Sequence, residues 1–115
     1  AYNSLGYTYV EDNRNLSEAR DLLERALDLD PENPYILDSV GWYLFRTQDY
    51  QGALEYLRRS YDQLPAADVA AHLGETLWAL KRHEEAKRIW AEGLKADPGN
   101  QAVLAAMRRA GVKLP

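Results

Sequence analysis

The stretch ILDSVGWYLF, residues 36–45, has the pattern of a helix but carries a glycine at its centre. An interior glycine costs a helix roughly 1 kcal/mol relative to alanine. At about 100° per residue, Leu37, Gly41 and Leu44 lie on one side of this helix. We expect that side to meet a second helix, so that the missing side chain lets two backbones approach closely. Either Gly52 or Ala53 would do the same from the partner helix.

The glycine is one of three markers that recur along the chain. Gly6, Gly41 and Gly74 are separated by 35 and 33 residues. Downstream positions repeat with spacings of 34 and 33, an alanine at Ala19, Ala53 and Ala86 and a proline at Pro31, Pro65 and Pro98. Three markers with one period identify an internal repeat of helical units.

Helix-start signals agree with this period. Asn33 before Pro34 is a typical N-cap, and Asp49 and Asn100 are expected to cap later helices. Asn15 and Glu18 have the spacing of a capping box. We predict seven helices, over about 1–11, 16–29, 34–47, 50–63, 67–80, 83–96 and 100–110. The last has no partner and is expected to cap the stack, with Arg108 and Arg109 on a polar outer face.

The composition limits the possible functions. The 115 residues are enough for one domain, and the net charge of −4 with interspersed acids and bases argues against nucleic-acid binding. There is no cysteine, which excludes disulfides and thiolate zinc sites. The chain begins at Ala1 with a helical pattern, which we interpret as a segment of a longer protein, and no run is apolar enough for a membrane helix.

The repeat resembles the tetratricopeptide repeat family. The resemblance rests on the small pair in each first helix, the alanine and bulky residue in each second helix, and the proline that follows. It implies an all-α, right-handed α-α superhelix of three helix-turn-helix units, over about 1–33, 34–66 and 67–99, with a capping helix over 100–110. In this family the first helices line a concave surface.

Family positions that face the concave surface form the predicted partner-binding site. They are Tyr7, Val10, Tyr35, Asp38, Trp42, Phe45, Arg46, Ala71, Glu75 and Trp78. The capping helix could add Ala102, Ala105 and Arg109. The aromatic members form a stripe flanked by carboxylates. A helical aromatic stripe is more often core, but leucine, valine and glycine already fill the core side of these helices. The stripe is therefore a binding groove, a part of the core, or a surface that packs against another part of the parent protein.

Other kinds of site are not indicated. His72 and Glu75 have a spacing that could hold a metal, but no third ligand is evident, so we expect His72 to be solvated or hydrogen-bonded. We find no catalytic constellation and expect neither an enzyme nor a cofactor. One family subset grips acidic peptide ends with Lys, Asn and Arg. Here Asp38, Trp42, Ala71 and Glu75 stand at those places, so an apolar, aromatic or basic ligand fits better.

The segments LDSVGW and AHLGETLW are similar to the carboxy-terminal part of long tetratricopeptide proteins of Gram-negative bacteria. Some of these are outer-membrane lipoproteins that act in the periplasm as adaptors of a carboxy-terminal processing protease. The resemblance implies a scaffold with a protein or peptide partner; a cytoplasmic location is the alternative. Two functions stay open, a protein-binding adaptor and a structural or oligomerisation segment whose aromatic face is covered by neighbouring repeats or a second copy.

Overall fold

The computed structural model describes residues 16–113 of the chain. Six helices and no strands occupy this part: α1 Leu16–Leu29, α2 Pro34–Arg46, α3 Tyr50–Gln63, α4 Ala67–Ala79, α5 His83–Ala96 and α6 Gln101–Ala110. Each agrees with a predicted helix to within one residue at either end. The predicted helix over 1–11 lies outside the described residues, together with Gly6, Tyr7, Val10 and Asn15.

Three predicted N-caps are confirmed. The side chain of Asn33 accepts hydrogen bonds from backbone N–H groups two and three residues ahead, at 2.9 and 3.3 Å. Asp49 and Asn100 each accept one from the N–H three residues ahead, at 3.0 and 2.9 Å. Each satisfies a donor that the helix leaves unpaired, which is worth about 1 kcal/mol.

The glycine of the opening stretch lies where α2 meets α3. A Cβ atom built on Gly41 would stand 2.5 Å from Cγ of Leu57 and 3.3 Å from the carbonyl oxygen of Ala53. Both facing residues are fully buried. The predicted close approach is therefore confirmed, with Ala53 as the small residue on the partner helix. Gly52 instead lies beside the carboxylate of Asp49 that caps α3.

The pair α4–α5 repeats this arrangement with a larger side chain. A Cβ atom on Gly74 would clash with the indole ring of Trp90, which is fully buried. One turn farther along α5, a Cβ atom on Gly93 would stand 3.0 Å from Cβ of Ala70 on α4 and 3.2 Å from Cγ2 of Val103 on α6. Gly93 therefore lies where α5 meets both α4 and α6.

The repeat markers occupy equivalent places along the chain. Ala19, Ala53 and Ala86 are all fully buried. Pro31, Pro65 and Pro98 lie in the connections α1–α2, α3–α4 and α5–α6, where a residue that cannot continue a helix ends one pair and starts the next. The connection inside each pair is tighter and places a non-glycine residue in the left-handed region, Gln48 with φ 70° and Lys81 with φ 64°.

Polar contacts join the second helices α3 and α5. Arg58 and Arg82 donate hydrogen bonds to Glu85 at 3.0 and 2.7 Å. Both bonds lower the pKa of the Glu85 carboxyl, and the bond from Arg82 has the larger effect. The Tyr61 hydroxyl donates to Glu92 at 2.8 Å. The pKa of Tyr61 is raised from 10.0 to about 12, mainly because the hydroxyl is partly buried. The hydrogen bond to Glu92 and the negative charge of Glu92 raise it further.

We predict that alanine is destabilising at Gly41 and Gly74, although it is the better helix former. Filling either contact overpacks the pair and should lower the free energy of unfolding by about 1–3 kcal/mol. Gly99 has no atom within 4 Å of a built Cβ, so Gly99→Ala is the matched control and should be nearly neutral. Thermal and denaturant unfolding measure the difference; equal stability of Gly41→Ala and Gly99→Ala would contradict the packing argument.

The Tyr61 contact predicts a pH dependence. Because the folded pKa is raised, the neutral hydroxyl stabilises the fold fully below the unfolded value of 10.0, and this contribution is lost as the pH rises toward 12. The difference in unfolding free energy between the parent and Tyr61→Phe should therefore shrink over this range. A difference that is constant with pH would show that folding does not raise the pKa of Tyr61.

Candidate functional site

The helices α2, α4 and α6 lie side by side, and we call their shared surface the α2–α4–α6 face. Nδ1 of His72 on α4 lies 2.9 Å from Oδ1 of Asp38 on α2. The Arg109 guanidinium on α6 donates to both carboxylate oxygens of Glu75 on α4, at 2.7 and 3.0 Å. Adjacent helices of this face are thus linked by charged or polar side chains as well as by packing.

An aromatic cluster lies at the junction of α2 and α4. The imidazole of His72 stacks on the indole of Trp42, with centroids 4.1 Å apart and planes 15° apart. Phe45 stacks on the same indole at 4.6 Å and 6°. This indole also packs against Ala19 and Leu23 of α1. These contacts leave Trp42 only 6% exposed, so the expectation that it forms part of an accessible stripe was wrong.

The indole nitrogen of Trp42 is a buried donor with no hydrogen-bond partner among the residues 16–113. Leaving a buried donor unsatisfied costs about 1–3 kcal/mol. The stacked rings on both sides offset this cost by burying large apolar area. Trp42 therefore belongs to the junction between helices, and His72 is buried and hydrogen-bonded, which is one of the two states expected for it.

A cleft of about 170 Å³ opens farther along the same face. Phe45 and Trp78 form its aromatic walls, and Trp90 and Ala106 also line it. The indole of Trp78 stacks on Trp90 at 5.8 Å between centroids. The ion pair of Glu75 and Arg109 lines the cleft as well, so an apolar surface stands next to two charges that already neutralise each other.

The structure places the predicted binding residues in different environments. Phe45, Glu75 and Trp78 meet in the cleft, whereas Asp38 and Trp42 belong to the aromatic cluster. Tyr35 is 64% exposed and Ala71 only 2% exposed, so the expectation of an accessible Ala71 was also wrong. Arg46 is half-buried at the end of α2. Tyr7 and Val10 lie outside the described part of the chain.

Sequence reasoning missed two features of this face. It left Asp38 and His72 unconnected, although the two residues are 34 positions apart, one repeat. It placed Arg109 either on a polar outer face with Arg108 or on the concave surface, and did not link it to Glu75, also 34 positions away. Arg108 is exposed as expected. A search for complementary residues one period apart could have found both contacts.

Among residues 16–113, no group of three or more histidine, aspartate or glutamate side chains is arranged to hold a metal ion. None of the helices α1 to α6 is both long and apolar enough to cross a membrane.

We predict energetic coupling between Asp38 and His72. Asp38→Ala removes the acceptor from a buried imidazole and should lower the free energy of unfolding by about 1–3 kcal/mol. His72→Phe keeps the ring stack, and the double variant should cost less than the sum of the single ones by about 0.5–3 kcal/mol. Asp62→Ala removes an exposed acid on α3 as the control. Additive effects in denaturant unfolding would argue against the link.

Known structures share the architecture. The first TPR domain of Spaghetti (RPAP3), solved bound to an HSP90 peptide, is 22% identical with a TM-score of 0.80, covering 96% of this chain and 89% of that one. The second TPR domain of human RPAP3, in complex with an HSP70 peptide, is 17% identical with a TM-score of 0.78, covering 97% and 93%. MamA is 22% identical with a TM-score of 0.75, covering 96% and 67%.

Sequence relatives agree with the fold. A TPR repeat-containing protein of Pseudomonas aeruginosa is 44% identical over 75 residues, which is 65% of this chain. The matched segment is only 13% of that much longer protein. Two models of the tetratricopeptide repeat match residues 3–68 and 44–110. The chain therefore belongs to the tetratricopeptide repeat family.

Proposed function

We propose that this chain is a non-enzymatic protein-interaction scaffold that binds a peptide segment of a partner on the α2–α4–α6 face. Its working unit is three repeats, over about 1–33, 34–66 and 67–99, followed by the capping helix. Family membership supports a scaffold, and the two RPAP3 domains were solved with bound peptides. The cleft beside Phe45 and Trp78 is the observation that carries the proposal for this particular face.

The cleft favours an apolar or aromatic side chain of the partner. Aromatic walls supply contact area at low entropic cost, and such residues often dominate binding energy. Because Glu75 already binds Arg109 through both oxygens, a charged ligand would have to compete with an existing ion pair. An apolar side chain can enter without breaking it. A ligand with a charged group at the cleft would find neither Glu75 nor Arg109 available to pair with it, and such ligands are disfavoured.

An acidic peptide end is a poor match. The peptides in the two RPAP3 complexes read SRMEEVD and SGPTIEEVD, and both end in acidic residues. On the present face Asp38 and Glu75 stand where a basic clamp is required, together with Trp42 and Ala71. Asp38 contacts His72 and Glu75 pairs with Arg109, so these places do not supply the basic clamp, and the partner differs in chemistry from those chaperone peptides.

The parent protein is proposed to be a long bacterial scaffold. The match to a small part of a Pseudomonas aeruginosa protein supports a segment of a larger array. The similarity of LDSVGW and AHLGETLW to Gram-negative lipoprotein adaptors supports a periplasmic, outer-membrane-associated setting, with a processing protease or its substrates as partner. The peptide chemistry proposed above does not depend on this setting.

A structural or oligomerisation role is the second candidate. Leu29 and Tyr35, on neighbouring ends of α1 and α2, are 75% and 64% exposed. Large apolar side chains so exposed are suited to packing against a neighbouring repeat or a second copy. Sedimentation over a range of concentrations separates the candidates: a monomer favours peptide binding, and a stable dimer that Leu29→Ser disrupts favours assembly.

A phage-displayed peptide library tests the proposed groove. Peptides selected on the chain should be enriched in phenylalanine, tryptophan, leucine or methionine. Phe45→Ala removes a cleft wall, and Ala110→Trp fills the cleft; either should weaken a selected peptide about tenfold or more. Leu29→Ala removes an exposed apolar residue elsewhere and should leave the affinity unchanged.

Circular dichroism must first establish that each variant keeps its helices. If folded Phe45→Ala and Ala110→Trp bind selected peptides as tightly as the parent does, the ligand does not use the cleft. If selected peptides are acidic and lose affinity in Phe45→Ala and Ala110→Trp, the assignment of an apolar ligand to the cleft is wrong.

A further inference from the structure

A second groove lies between α5 and α6, away from the α2–α4–α6 face. Two adjoining clefts of about 250 and 330 Å³ share Met107 and Val112 as common walls. Ala91 and Leu94 of α5 complete one cleft, and Leu104 of α6 contributes to the other. We call this pair of clefts the α5–α6 groove. Its floor is an apolar strip along two helices.

The C-cap of α6 positions Val112 at the end of this groove. Gly111 ends α6 in the left-handed conformation, with φ 74°. The backbone N–H of Val112 then donates to the carbonyl of Met107 at 2.9 Å. This capping arrangement turns the chain back across the end of α6 and sets Val112 against the apolar strip.

The charges around the strip have one sign. Lys87, Arg108 and Lys113 line the two clefts, and no carboxylate of residues 16–113 does. Lys87 also meets Glu84 at 3.3 Å, but that acid is 90% exposed and such a surface pair is worth little. Since the whole chain carries a net charge of −4, a purely cationic rim is a local departure from the overall balance.

We propose that the α5–α6 groove binds an acidic amphipathic helix of a partner protein. An apolar strip between two helices accepts side chains that recur at i, i+3, i+4 and i+7 on one helix face. The cationic rim matches acidic residues on the flanks of that helix and repels basic ones. This partner differs from the peptide proposed for the α2–α4–α6 face in both its place and its charge.

Designed peptides provide the test. The probe is a helical peptide of about 14 residues, four turns, with leucine on one face and glutamate elsewhere. A second peptide replaces every glutamate with lysine, and poly-glutamate supplies the charge without the apolar face. Fluorescence anisotropy should show that the acidic amphipathic peptide binds at least about tenfold more tightly than either control, and that added salt weakens its binding.

Variants locate the site. Lys87→Glu with Lys113→Glu should weaken the acidic peptide about tenfold or more, and Leu104→Ser should weaken it without changing the salt dependence. Arg88→Glu makes the same charge reversal on α5 at a residue that does not line the groove. It should retain the parent affinity beyond a small long-range effect.

Four results would overturn the proposal. Equal binding of poly-glutamate would mean that only charge is recognised, and equal binding of the lysine peptide would remove the role of the rim. Equal losses in Arg88→Glu and in the double variant would place binding outside the groove. A concentration-dependent dimer that Leu104→Ser dissolves, without peptide binding by the monomer, would assign the groove to a second copy of the chain.

Discussion

The spacing between the two helices of each pair depends on a glycine packed against a bulky side chain. Gly41 accommodates Leu57, and Gly74 accommodates Trp90. A methyl group at either position would force the helices apart, because the facing residues are fully buried and close-packed. The intrinsic helical penalty of glycine is small beside the burial that this spacing permits. The distance between the helices at these glycines also sets how closely the rest of each pair packs, including the residues of the candidate sites.

The difference between Leu57 and Trp90 also links the core to the binding surface. The indole passes across Gly74 and reaches the cleft, where it stacks on Trp78. A leucine at the same place would be too short to contribute to the cleft in this way. The larger core residue therefore serves two roles: it packs the α4–α5 pair, and it supports an aromatic wall of the proposed peptide site.

Sequence reasoning was reliable where the controlling forces are local. Helix limits and the caps at Asn33, Asp49 and Asn100 follow from backbone periodicity and from hydrogen bonds spanning a few residues. The environment of Trp42 could not be read in the same way. A helical wheel gives the direction of its side chain, but whether that side is open depends on His72, which belongs to the next repeat. The cleft likewise combines residues from α2, α4 and α6, and no single stretch of sequence contains it.

The tight turn inside each helix pair has a consequence for any longer array of such units. Gln48 and Lys81 occupy equivalent turns and share the left-handed backbone conformation. For residues with a side chain this conformation costs about 1–2 kcal/mol. If each added unit repeats the turn, the strain grows in proportion to the number of units and cannot be diluted by lengthening the array. The residue at this turn position therefore determines how much stability each added unit contributes to the array.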